Sequence, residues 1–184
     1  MSPINFLKYL QFAYFSKPSG DRPLYRAVRR ARVRSILEIG VGDARRAMRL
    51  VTLAGRLSGE PARISYTGID LFEARPTKPA LSLKAAYQQL TATGSKIKLL
   101  PGAAFDTLAR SANSLLNTDL IVISADVDQQ SLDRAWFYMP RMLHPKSVVY
   151  REQPTAEDGQ PTYRQFSVAD IEALARSVGQ QRAA

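Results

Sequence analysis

The sequence predicts a three-layer α/β domain around a mostly parallel sheet, with helices ahead of it. Three observations predict it. Five short apolar runs alternate with amphipathic helical stretches, the connections between them are short, and the first run ends in a Gly-x-Gly turn.

Taken in order, Ser2 before Pro3 can start a helix, because a serine hydroxyl satisfies free N–H groups and proline fits the first turn. This predicts a short helix to about Phe15 that carries the aromatic residues Phe6, Tyr9, Phe12, Tyr14 and Phe15 and is broken by Lys17-Pro18-Ser19-Gly20. A second helix, capped by Asp21, runs through Leu24, Tyr25 and Val28 and turns Arg26, Arg29 and Arg30 outward. Together they make an N-terminal extension over residues 1–32, and residues 33–184 form the main domain. Val33 to Ile39 reads as a buried strand that passes through Gly40-Val41-Gly42-Asp43 into a helix from about Ala44 to Leu57. Ala47, Leu50, Val51, Ala54 and Leu57 form its inner stripe, with Arg45, Arg49 and Arg56 opposite. Strand, glycine turn and amphipathic helix open a βαβ unit.

The alternation continues with a strand from Ile64 to Asp70 and a helix from about Leu81 to Thr93 that turns Leu83, Ala86, Tyr87 and Leu90 inward. Lys96 to Leu100 is a third strand, followed by a helix with Phe105, Leu108, Ala109 and Ala112 on one face. Leu120 to Ser124 has the unbroken apolar character of a central parallel strand. A helix through Leu132, Ala135, Trp136 and Met139 ends near Pro140, and Ser147 to Tyr150 is a fifth strand. From Glu152 through Pro161 the chain reads as a loop, after which a helix starts at Ser167 with Asp170 as its capping-box partner and ends before Gly179. The tail from Gln180 to Ala184 reads as frayed.

With 184 residues, 45% of them apolar and 23% charged, the chain has the size and balance of one soluble globular domain. The absence of cysteine excludes thiolate nucleophiles, disulfides and thiolate metal sites. The apolar stretch from Ile4 to Phe15 is too short to span a bilayer, so the expectation is a cytoplasmic protein with no membrane partner. A net charge of +10 suits either a solvated basic surface or attraction to an acidic partner or RNA, and Arg26, Arg29, Arg30, Arg32 and Arg34 are the densest basic set. The aromatic N-terminal helix could pack on the domain, cover a cleft or serve a homodimer contact.

In open parallel sheets a ligand sits beyond the carboxyl ends of the strands, where Gly40 and Gly42 lie. Glycine admits close backbone approach, and the following helix aims free N–H groups at the same place. Asp70, at the tip of the second strand, can accept hydrogen bonds from both hydroxyls of a ribose; the alternative is a turn or cap aspartate. A nicotinamide-dinucleotide turn wants a third glycine where Arg45 stands, which counts against that reading. Asp126, Asp128 and Glu152 could together hold Mg²⁺, but solvated loop carboxylates account for them more simply, leaving no metal site assigned. His144, beside Pro145 in a turn, reads as structural.

The run Ile36-Leu37-Glu38-Ile39-Gly40-Val41-Gly42 resembles the first motif of the class I S-adenosylmethionine-dependent methyltransferases, and Gly68-Ile69-Asp70-Leu71 resembles their second. Leu99 to Phe105 and Asp119 to Asp126 are similar to the third and fourth, and Met142 to Val149 to the run into the fifth strand. The resemblance implies a Rossmann-like fold with S-adenosylmethionine as cofactor. It also implies that Glu38, Gly40 and Gly42 line the methionine end, that Asp70 holds the ribose and Leu71 the adenine, and that Ala103 and Ala104 sit by the adenine edge. Asp126 falls where members place a substrate- or metal-facing residue. One helix past the fifth strand makes the domain C-terminally shortened, with a sheet edge that is unprotected unless a partner or another segment covers it. The expected activity is methyl transfer to a small molecule or an unidentified oxygen or nitrogen acceptor; the alternative is a non-catalytic domain that binds a cofactor or partner.

Overall fold

A computed structural model describes residues 19–76, 81–154 and 160–183. The helix expected between Ser2 and Phe15 lies outside them, as do Lys17, Pro18, Asp158 and Gly159. The described chain runs α1 (Arg22–Arg30), β1 (Ser35–Ile39), α2 (Arg45–Ser58), β2 (Ser65–Asp70), α3 (Leu83–Thr91), β3 (Lys96–Pro101), α4 (Ala104–Ser111), β4 (Leu120–Ile123), α5 (Gln129–Ala135), β5 (Val148–Gln153), β6 (Thr162–Phe166) and α6 (Val168–Ala183). The six strands are ordered β3-β2-β1-β4-β5-β6. The first five pair in parallel, and β6 pairs antiparallel with β5, Tyr150 opposite Gln165.

Alternation along the strands explains the three layers, since successive side chains point to opposite faces. Ile36, Tyr66, Leu120 and Val122 meet Leu24, Tyr25, Leu50, Val51 and Leu90 from α1, α2 and α3. Leu37, Ile39, Ile121 and Ile123 meet Leu108, Leu132, Trp136 and Ile171 from α4, α5, the 3₁₀ turn Trp136–Met142 and α6. Thus α1 packs into the same core as β1.

Four expectations need correction. Residues 162–166, between the expected loop and the last helix, form β6, so the sheet edge expected to be unprotected is covered by a strand paired with β5. Asp21 makes no side-chain cap to α1; it is buried and accepts from the hydroxyls of Tyr25 (3.3 Å) and Tyr163 (2.8 Å) instead. Tyr87 is half exposed and Ala109 is exposed, while Thr107 turns into the core. Gly179 does not stop the last helix, which continues to Ala183; its start is as expected, Ser167 and Asp170 exchanging hydrogen bonds of 2.8 and 3.2 Å.

Candidate functional site

Strand order reverses between β1 and β4, because β1 feeds α2 on one face and β4 feeds α5 on the other. A cleft of about 350 Å³ opens at that point, beyond the carboxyl ends of the strands. Of the residues singled out in the sequence, Gly40, Asp70, Leu71, Ala103, Ala104 and Asp126 line it, and Glu38 and Gly42 do not.

The glycine turn needs glycine. Gly40 has φ +86°, and a Cβ there would fall 2.6 Å from that of Ser124, so the turn lies directly on the end of β4. Gly42, at φ +62°, points its N–H at the Asp70 carboxylate (2.9 Å). Ala44 holds φ +62° without glycine's freedom, its methyl buried against Val41, Phe72 and Ala86.

Asp70 is the focus of the cleft. Its Oδ1 accepts from the Phe72 N–H (2.8 Å) and Arg75 Nε (2.6 Å), and its Oδ2 from the Gly42 N–H and Arg75 Nη2 (2.5 Å). Burial pushes this carboxyl up, but Arg75 and the two amides outweigh it and hold the group below the ordinary aspartate range. Arg75 also pairs with Asp126 across the mouth. Burial likewise pushes Asp126 up, and the Ser124 hydroxyl and Arg75 bring it below the usual value. Arg75, missed by sequence reading, lies five residues past Asp70 in what looked like plain loop. Its only signal was a cation close behind a carboxylate expected to be buried.

Glu38 belongs to a second cluster. It shares the face of Ile36, under α2, whereas the cleft opens on the α4 and α5 side. Fully buried, it accepts from Arg46 Nε (2.7 Å) and the Tyr66 hydroxyl (2.7 Å). Burial pushes its carboxyl up, against the pull of Arg46. Arg46 also donates to Glu152 (2.7 Å), to the Tyr163 hydroxyl (3.2 Å) and to the Gly40 carbonyl (3.1 Å). Burial alone would lower the Arg46 guanidinium, but Glu38 carries it well above its usual value. Asp21 joins through Tyr163 and through Arg49 (3.6 Å).

The candidate cation ligands are drawn apart. Glu152 faces Arg46, Asp126 faces Arg75, and Asp128 caps α5 by accepting from the Ser131 N–H at 2.7 Å. Among the described residues no three such side chains converge on one point. His144 sits at the amino end of the sheet, its Nε2 2.9 Å from Asp119, whose other oxygen takes the Arg34 and Ser35 N–H groups. Arg26, Arg30, Arg32 and Arg34 are exposed. Among the described residues no helix is long and apolar enough to cross a membrane.

Sequence comparison finds no matching family model and no matching curated protein. Solved structures do match. An O-methyltransferase from Bacillus cereus in complex with S-adenosylhomocysteine superposes with a TM-score of 0.55 at 16% identity, over 98% of this chain and 80% of that one. The fold is that of the class I methyltransferases. A putative O-methyltransferase from Klebsiella pneumoniae superposes equally well (0.55, 16%, 97% of this chain and 79% of that one). The O-methyltransferase TomG from Streptomyces achromogenes, in complex with S-adenosylmethionine, gives 0.53 at 16% identity over 98% and 79%. This chain thus keeps the methyltransferase fold with six strands and Asp70 at the tip of β2.

Proposed function

We propose that the protein is an S-adenosylmethionine-dependent methyltransferase acting on an oxygen or nitrogen of a small molecule. The observation that carries this reading is Asp70, a carboxylate at the tip of β2 that faces the switch-point cleft beside the Gly40 turn. The donor set fits the cofactor. A carboxylate acceptor suits ribose hydroxyls, Leu71, Ala103 and Ala104 offer an apolar wall for a flat base, and the Gly40 turn leaves backbone at the cleft without a side chain. Bound there, S-adenosylmethionine supplies a methyl group activated by its sulfonium.

The work left to the chain is placement. Methyl transfer is an in-line displacement, so holding donor and acceptor in near-attack geometry accounts for much of the rate. Asp126, Val127, Asp128 and Pro76 complete the lining of the cleft, and the two carboxylates are the groups offered to an acceptor. Complexes of two matched structures with S-adenosylmethionine or S-adenosylhomocysteine support the cofactor choice.

A second reading, binding without transfer, draws on one observation: Arg75 already engages the Asp70 carboxylate. Calorimetric titration with S-adenosylhomocysteine tests the cofactor, beside Asp70→Ala and a nicotinamide dinucleotide control. Binding by the wild type that the variant loses is the expected result; preference for the dinucleotide would sink the reading. Radiolabelled methyl transfer to a fraction of small molecules separates an enzyme from a binding domain.

A further inference from the structure

We propose that Arg75 is an internal competitor for the hydroxyl groups that Asp70 accepts, and that it makes the cleft selective for ligands with a vicinal diol. The proposal rests on reading the cleft as the cofactor site.

A carboxylate offers about four acceptor positions. On Asp70 two are taken by the N–H groups of Gly42 and Phe72, and two by Nε and Nη2 of Arg75. The backbone donors are fixed. Gly42 is part of the turn after β1, and Phe72, 1% exposed, is anchored against Val41, Ala44 and Ala86 at φ +48°, a conformation that a bulky residue keeps only when its surroundings hold it. Arg75 is therefore the one donor that can leave. A diol must displace it, and only a diol replaces both bonds; a ligand with one hydroxyl leaves an acceptor position unfilled, which is costly in a partly dry site. Asp126, half exposed and already paired with Arg75, keeps the displaced guanidinium at the mouth.

The test titrates wild type and Arg75→Gln with S-adenosylhomocysteine, adenosine and 2′-deoxyadenosine by calorimetry. In parallel, NMR follows the Arg75 Nε–H of the ligand-free wild type, assigned by its loss in the variant. The expected results are a protected Nε–H signal that shifts on saturation and S-adenosylhomocysteine binding about tenfold tighter in the variant, because the competent state is no longer a minor one. Adenosine should exceed 2′-deoxyadenosine by a larger ratio in wild type than in the variant. If the wild type binds and the variant binds no more tightly, or if the Nε–H exchanges freely without ligand, the competitor role is overturned and the cofactor reading stands. If neither protein binds S-adenosylhomocysteine, the cofactor reading falls and this proposal falls with it.

Discussion

Two arginine–carboxylate clusters flank the glycine turn. Around Arg46, five elements converge: Glu38 from β1, Tyr66 from β2, Glu152 from β5, Tyr163 from β6 and the carbonyl of Gly40. Around Arg75, the partners are Asp70 and the half-exposed Asp126, at the mouth of a cleft. The first cluster is built on the fully buried Glu38 and Tyr66, with Arg46 and Glu152 mostly covered, and removing Arg46 strands a charge in the core. The second opens on solvent and on the ligand's path. Similar chemistry therefore does two jobs: a sealed ion pair fixes geometry, and an accessible one can be exchanged.

Arg46→Met should give the largest effect, a loss of about 3–5 kcal/mol in urea denaturation, since Glu38 and Glu152 lose their cation. Pairing it with Glu38→Gln should recover part of that loss; full additivity would show that the two residues do not act as a pair. Gly40→Ala should cost about 1–3 kcal/mol from its left-handed backbone alone, and the contact with Ser124 should deform the cleft, abolishing S-adenosylhomocysteine binding in the same preparation. Asp70→Ala should lose ligand binding at a stability cost of only about 1–3 kcal/mol, confirming that the mouth cluster serves binding more than folding.

The smallest effect is in pH. Asp70 has a folded-state pKa below its ordinary value of 3.8, so its contribution to stability is complete above that value and is lost as pH falls through the depressed one. Asp21 and Glu38, pushed up by burial, act with the opposite sign, their contributions being lost as pH rises through their folded values. The difference in stability between wild type and Asp70→Asn isolates the first term; it should be constant above about pH 5 and shrink below it.

Much of this architecture was legible in the chain. The βα alternation, the Gly40 turn and Asp70 follow from short apolar runs, amphipathic periods and glycine placement. β6 was not, because its two aromatic residues face opposite sides of the sheet, Tyr163 toward Arg46 and Phe166 toward Trp136, so no period of two emerges. Arg46 was hidden beside the stripe of Ala47 and Leu50, where an arginine reads as surface; the signal was Glu38, a carboxylate inside a central strand that needed a cation. Asp21 looked like a cap because it precedes Pro23 and an apolar helix, but its acceptors are claimed by hydroxyls from 4 and 142 residues away.

That last separation bears on how the protein is made. On the ribosome α1 and β1 through β5 are synthesised before Tyr163, so a partly made chain has an arginine pocket short of one hydroxyl and a bare edge on β5. Contacts between distant positions close late and slowly. The strand hardest to see in the sequence is thus the last one made, and until it docks the exposed edge of β5 is open to pairing with a neighbour.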